Sequence, residues 1–168
     1  MAYDIIPNTW DDYQLLPNAR PGGTAPSFLE RANGVYMFQL GNNDELHGYM
    51  QMPHAWNKGL IDPHIHWEPA ATGAHSFNMD LNWIWAPAAG AVTTTGSNTK
   101  AISGTQNAGT VYINGWDNID LGAGAGASTL LLFRMKITSL TGGNIWLWGW
   151  DCHIQKNRSG TINEASEP

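Results

Sequence analysis

Residues 129–155 read TLLLFRMKITSLTGGNIWLWGWDCHIQ, and most of the expected architecture follows from their pattern. The first half alternates large apolar residues with Arg134 and Lys136, which is typical of a strand with one buried face. Its apolar members are Leu131, Phe133, Met135 and Ile137. The second half places Trp146, Trp148, Trp150, Cys152 and Ile154 on one face and Asp151, His153 and Gln155 on the other. The turn residues TGGN at 141–144 predict that the two halves form a long β-hairpin.

Strand-like runs also fill the preceding part of the chain, and none of its segments shows helical spacing of apolar residues. The runs cover residues 35–40, 45–52, 61–69, 76–86 and 110–116. The turn residues GNND at 41–44 predict that the first two runs form another hairpin. Two low-complexity stretches, 87–98 and 121–128, are predicted loops. This pattern predicts an all-β fold, a jelly-roll-like β-sandwich over residues 35–155.

The two ends of the chain differ from this central domain. Residues 1–34 contain Pro7, Pro17, Pro21 and Pro26 among Asn, Asp and Gly, which predicts an extended N-terminal arm. Apolar side chains scattered along the arm suggest that it lies against a surface. Residues 156–168 are predicted to form a polar C-terminal tail.

Composition restricts the possible partners. The 168 residues include 19 Gly and 9 Trp, and only 13% are charged, which indicates a folded chain whose apolar surface is partly covered by other subunits. The net charge of −6, with eight Lys and Arg, argues against nucleic acid or an anionic membrane as a partner. The N-terminus lacks the pattern of a signal peptide, and the single cysteine, Cys152, is typical of a reducing cytoplasm or of a particle assembled there.

The segment DPHIHWE at 62–68 carries the main candidate site. Alternation puts Asp62, His64, His66 and Glu68 on one face, opposite Ile65 and Trp67. In one interpretation, His64 and His66 bind a divalent metal together with His153. In the other interpretation, no cofactor is bound. The polar residues then form a hydrogen-bonded contact between this strand and the C-terminal strand that carries His153, or with a neighbouring subunit. The residues of that interface would be Asp62, His64, His66, Asp151 and His153.

Two further functions remain open on the residues alone. The His-x-His pair with Glu68 is similar to the cupin pattern, which would make His64, His66, Glu68 and His153 the centre of a metal-dependent enzyme. A carbohydrate-binding module would need exposed aromatic side chains, and Trp56 and Trp116, near predicted loops, are the candidates. Same-face tryptophans such as Trp83 and Trp85, or those at 146, 148 and 150, are more typical of a core or an interface.

A nucleophilic enzyme is not indicated. Cys152 lies on the tryptophan face and is expected to be a buried, inert thiol. The sequence contains no Gly-x-Ser-x-Gly elbow. We therefore expect a protein without catalytic residues.

The segments Pro63-His64-Ile65-His66-Trp67 and Asp151-Cys152-His153-Ile154-Gln155 resemble motifs in a group of small structural proteins of tailed bacteriophages. Those chains carry a Pro-His-x-His-Trp strand and a late Asp-x-His strand followed by a polar tail. The resemblance implies a virion component assembled in the host cytoplasm. It further implies a trimeric β-sandwich of the head, neck or tail, such as a capsid decoration protein. Its partners would then be copies of itself and other virion proteins, the major capsid protein among them.

Overall fold

The computed structural model describes residues 9–19, 25–54, 56–87, 90–122, 124–126 and 128–156, and the statements below concern these residues. They form eleven strands and no helix, which confirms the predicted all-β fold. The strands are β1 Thr9–Gln14, β2 Asn18–Ala19, β3 Ser27–Ala32, β4 Val35–Leu40, β5 Glu45–Gln51, β6 Trp56–Pro69, β7 Gly73–Ala86, β8 Thr93–Gln106, β9 Tyr112–Gly115, β10 Leu130–Thr141 and β11 Ile145–Lys156. In this part of the chain, no helix has the length and apolar character to cross a membrane.

The strands form two antiparallel sheets packed face to face. The first sheet has the order β3-β4-β11-β6-β9, and β1 pairs with β11 beyond the end of β4. The second sheet has the order β2-β5-β10-β7-β8. The chain crosses repeatedly from one sheet to the other, which is the connectivity of a jelly roll and confirms the predicted fold class.

The core lies between the sheets and is rich in aromatic side chains. Trp67 of the first sheet packs edge-on against Phe77 of the second, with ring centroids 5.0 Å apart. Trp150 and Phe133 also contact each other across the core, with tilted rings and centroids 6.2 Å apart. On β10 the apolar positions alternate into this core as predicted, and those of β7 do the same, because a strand of a two-layer sandwich buries every second side chain.

The predicted hairpin between the two halves of residues 129–155 is wrong. β10 pairs with β5 and β7, whereas β11 pairs with β1, β4 and β6, so the turn at 141–144 crosses between the sheets. A crossing turn lets the apolar faces of the two strands pack against each other. Gly142 and Gly143 both have positive φ in this turn, and a Cβ on Gly142 would lie 2.3 Å from the carbonyl oxygen of Ala74.

The second predicted hairpin, between residues 35–40 and 45–52, is wrong for the same reason. β4 belongs to the first sheet and β5 to the second. Turn residues mark where a chain reverses, but they do not determine whether the next strand pairs with the previous one or faces it across the core.

The stretch 87–98 is only partly a loop, because β8 begins at Thr93. This strand was missed because its sequence, TTTGSNTKAISGTQ, is polar and contains two glycines. It lies at the edge of the second sheet, where few side chains are buried. Gly96 is required there by packing, since a Cβ would overlap the ring of Trp83.

The predicted tryptophan face of β11 is also wrong at two positions. Pairing with β6 shifts between Leu147 and Gly149, which marks a β-bulge at Trp148. The bulge changes the phase of the alternation, so Ile145, Leu147 and Trp150 enter the core. Trp146 packs under the guanidinium of Arg31 outside the core, and Trp148 is 53% exposed.

The described part of the predicted arm is extended and contributes strands to both sheets. β1 pairs with β11, β2 with β5, and β3 with β4. Leu15, between β1 and β2, is fully buried and donates its backbone N–H to Trp150. The predicted tail beyond residue 156 lies outside the described residues.

Candidate functional site

The polar residues predicted to form a site come together on the outer face of the first sheet. β6 and β11 are antiparallel neighbours, and their register places His64 opposite Asp151 and Asp62 opposite His153. The adjacent residues Ile61, Ile65 and Ile154 point into the core and hold the polar residues outward. We call Asp12, His64, His66, Asp151 and His153 the histidine cluster.

Asp151 lies between two imidazoles. The Nε2 atom of His64 is 2.7 Å from Asp151 Oδ1, and Nε2 of His66 is 3.2 Å from Asp151 Oδ2. The side chain of His64 is 8% exposed, that of Asp151 13% and that of His66 31%. The carboxylate is therefore shielded, while one imidazole edge remains open to solvent.

His153 belongs to a neighbouring pair. Its Nε2 atom lies 2.6 Å from Oδ1 of Asp12 on β1, and Trp10 packs edge-on against its ring. The rings of His153 and His64 are also close, with centroids 4.2 Å apart. Sequence reasoning missed Asp12, because only the pairing of β1 with β11 brings it to this face.

Asp62 orients the cluster without joining its ion pairs. Its carboxylate accepts the backbone N–H of Asn118 at 2.6 Å, which ties β6 to the segment after β9. Its carbonyl oxygen lies 3.3 Å from Nδ1 of His64. This contact holds the imidazole so that Nε2 faces Asp151.

Glu68 shares the outer face with the histidines but belongs to a different network. Its buried carboxylate accepts from Nε and Nη2 of Arg31, from the backbone N–H of Gly109 at 2.7 Å, and from the indole of Trp148 at 3.0 Å. Burial acts to raise the pKa of Glu68, but these donors together lower it below its ordinary value. Glu68 is therefore not available as a metal ligand beside His64 and His66, as the cupin pattern would require. The two histidines also lie on the outer face of the sheet and not inside the sandwich.

The prediction that Trp56 and Trp116 are exposed is wrong. Trp56 is 4% and Trp116 1% exposed, because both pack into the core, and Trp116 donates its indole N–H to the carbonyl of Met79. Cys152 is buried as predicted, and burial raises the pKa of its thiol.

Among the described residues, the outer face of each sheet carries an exposed apolar surface. The aromatic patch on the first sheet consists of Phe28, Tyr36 and Trp148, which line one groove. The apolar row on the second sheet consists of Tyr49, Ile84, Leu130 and Leu132. Leu132 lies in register with Tyr49 on one side and Ile84 on the other, so the row continues across β5, β10 and β7.

No protein-family profile matches the sequence, and no curated protein matches it significantly. Several solved structures match the chain at low similarity, and three of them match over most of its length. The enzymatically active domain of tailspike protein 4 from bacteriophage CBA120 is 9% identical, with a TM-score of 0.36, and the match covers 89% of this chain and 19% of that one. The arabinose-bound α-L-arabinofuranosidase MgGH51 is 13% identical, with a TM-score of 0.35 and coverage of 90% and 25%.

The third match is TmCBM61 in complex with β-1,4-galactotriose, at 11% identity and a TM-score of 0.33. It covers 92% of this chain and 90% of that one. The chain thus spans a fifth to a quarter of the first two proteins.

Proposed function

We propose that the protein is a non-enzymatic structural component of a tailed-bacteriophage virion that assembles as a homotrimer. Its place would be the capsid surface, as a decoration protein, or another part of the head, neck or tail. Support comes from the two motif segments, which pair directly, with Pro63 opposite Cys152 and His64 opposite Asp151. The segments that carry the resemblance thus form one structural unit of β6 and β11.

The exposed apolar row is the observation that carries the assembly role. Tyr49 is 56%, Leu132 46% and Ile84 36% exposed, although they are adjacent on one sheet face. Contiguous apolar surface of this kind marks interaction sites, because its burial removes apolar area from water. Arg134 borders the row, forms an ion pair with Glu45 and donates a hydrogen bond to the side-chain oxygen of Asn82, which suits the polar rim of an interface.

A second copy of the chain is the proposed partner of this surface. The apolar row and the aromatic patch lie on opposite sheets, so one copy can present its patch to the row of the next. Such head-to-tail contacts close into a ring when the rotation between copies allows it. The trimer is the closed ring that the motif resemblance implies.

The mass in dilute solution tests the assembly. We expect light scattering to give three times the 18.4-kDa chain mass for the wild type. Leu132→Glu should give a folded monomer, because it places a charge in the middle of the row. Val92→Glu, at a 64% exposed position outside both surfaces, is the matched control and should remain trimeric. A monomeric wild type would contradict the trimer.

Purified particles of the virus that encodes the chain test the virion role. We expect mass spectrometry to detect the protein in stoichiometric amounts, and chemical cross-linking to connect it to another virion protein such as the major capsid protein. Its absence from intact particles would contradict this part of the proposal.

Carbohydrate binding is a second candidate, supported by Trp148. The residue is 53% exposed, while the hydrogen bond to Glu68 fixes its orientation beside the stacked pair Phe28 and Tyr36. Fixed aromatic faces are suited to stacking on sugar rings. A glycan array should then show binding that Trp148→Ala abolishes and Trp10→Ala, at another exposed tryptophan of the same sheet, preserves. Absence of glycan binding by the wild type would remove this candidate.

A further inference from the structure

We propose that His64, His66 and Asp151 bind a divalent transition-metal ion of the Zn²⁺ class on the outer face of the first sheet. One nitrogen from each imidazole and one carboxylate oxygen lie within 4.8 Å of one another. The closest nitrogen–oxygen distances are 2.7 and 3.2 Å. Ligands about 2.0–2.1 Å from a tetrahedral zinc ion are separated by roughly 3.3 Å, so only small side-chain shifts are needed to surround an ion.

The hydrogen-bonding chemistry of His64 supports this site. The Asp62 carbonyl beside Nδ1 can only accept, so this contact places a proton on Nδ1. In a neutral ring, the lone pair of Nε2 then faces Asp151 Oδ1 at 2.7 Å. Two acceptors at this distance repel each other unless a positive charge lies with them. A metal-binding histidine characteristically donates its other N–H to a carbonyl or carboxylate, as His64 does.

Asp151 provides an independent indication. Its Oδ1 atom is buried and has no hydrogen-bond partner among the described residues, although Nε2 of His64 is close, because the contact lacks hydrogen-bond geometry. A shielded carboxylate oxygen without a donor is costly. A bound cation would supply the missing partner to Asp151 and to the lone pair of His64 together.

The site has an entry path and a recognisable donor preference. A groove bordered by Gln14, Val111 and Trp148 leads from solvent to His66 and Asp151, and it leaves room for water as a further ligand. Two imidazoles and one carboxylate suit Zn²⁺ and related transition metals, whereas Mg²⁺ and Ca²⁺ prefer oxygen ligands alone. Asp12 and His153, which form the adjacent pair, are more exposed, at 62% and 43%.

The inference is independent of the proposed assembly role, and titration calorimetry of the chelator-treated full chain with ZnCl₂ tests it. We expect one Zn²⁺ per chain for the wild type. His66→Ala and Asp151→Asn should each weaken binding by at least about tenfold, because each removes a ligand. His153→Ala and His47→Ala, the latter on the second sheet, are matched controls and should bind with the affinity of the wild type.

Thermal unfolding in chelator verifies that each variant is folded. His66 is partly exposed and Asp151→Asn keeps the shape of the side chain, so the variants should unfold close to the wild-type temperature. Added Zn²⁺ should raise that temperature for the wild type and not for the two ligand variants. Absence of stoichiometric binding would overturn the proposal, as would wild-type affinity in His66→Ala. Loss of binding in His153→Ala would overturn the choice of ligands.

Discussion

Arg31 and Glu68 lie 37 positions apart in the chain, yet the guanidinium donates to both oxygens of a carboxylate that is only 1% exposed. This contact joins β3 to β6 across the outer face of β11. Gly109 donates to the same carboxylate and ties the loop before β9 to the sheet. Glu68 is therefore the point at which three distant segments of the chain are held together.

Replacing Glu68 by Ala should destabilise the fold. The change leaves the donors of Arg31, Gly109 and Trp148 without their shared acceptor, and we expect a loss of about 2 kcal/mol in the free energy of unfolding. Urea denaturation measures it. Asp117→Ala is the control, since its pair with Lys100 is exposed and long at 3.5 Å and should contribute almost nothing. Equal effects of the two substitutions would contradict the role given to Glu68.

The crossing turn between β10 and β11 predicts unequal effects at neighbouring glycines. Gly142 and Gly143 have φ values of 87° and 107°, so alanine is strained at either position. Only at Gly142 would the new Cβ meet a backbone atom, the Ala74 oxygen. Gly143→Ala should cost about 1 kcal/mol, and Gly142→Ala clearly more. If denaturation midpoints fall equally for both, the turn does not have this geometry.

The bulge in β11 predicts that two tryptophans separated by one residue behave differently. Trp150 is 2% exposed and packs against Phe133, so Trp150→Ala should cost about 3–5 kcal/mol. Trp148→Ala should cost about 1 kcal/mol, mainly through the lost hydrogen bond to Glu68. Intrinsic fluorescence during chemical denaturation measures both. If both substitutions lowered the free energy of unfolding by a similarly large amount, both tryptophans would be buried on one continuous face, and the bulge would be contradicted.

Cys152 should report on unfolding of the whole domain. The thiol is fully buried, and burial raises its pKa, so little reactive thiolate reaches solvent in the native state. We expect no reaction with a thiol reagent such as DTNB under native conditions. In denaturant the labelling should follow the same transition as fluorescence. Fast labelling of the folded protein would place Cys152 outside the core.

Alternation along single strands was readable without the structure, because burial of one face of a sandwich strand requires it. Leu131, Phe133 and Met135 were assigned correctly to the core on that ground. The same rule placed His64 and His66 on one outward face. These are local properties, since each depends only on which side of its own strand a side chain occupies.

Pairing between strands was decided only by the tertiary structure. The turn at 141–144 has the composition of a hairpin, yet it connects strands of opposite sheets, because two apolar faces are better buried against each other than side by side. The strand β8 escaped detection because an edge strand needs little apolar content. The bulge at Trp148 likewise depends on pairing with β6 and leaves no clear mark in the residues themselves.

In the candidate site, too, the residues were predicted from the sequence, whereas their contacts were seen only in the structure. His64, His66, Asp151 and His153 were recognised from residue type and alternation within two segments. Three contacts depend instead on the register between strands that are distant in the chain. Asp151 lies between the two imidazoles, Asp12 pairs with His153, and Arg31 forms an ion pair with Glu68. A local pattern specifies the face of a strand, but distances between side chains of different strands are set by how the whole sheet packs on its core.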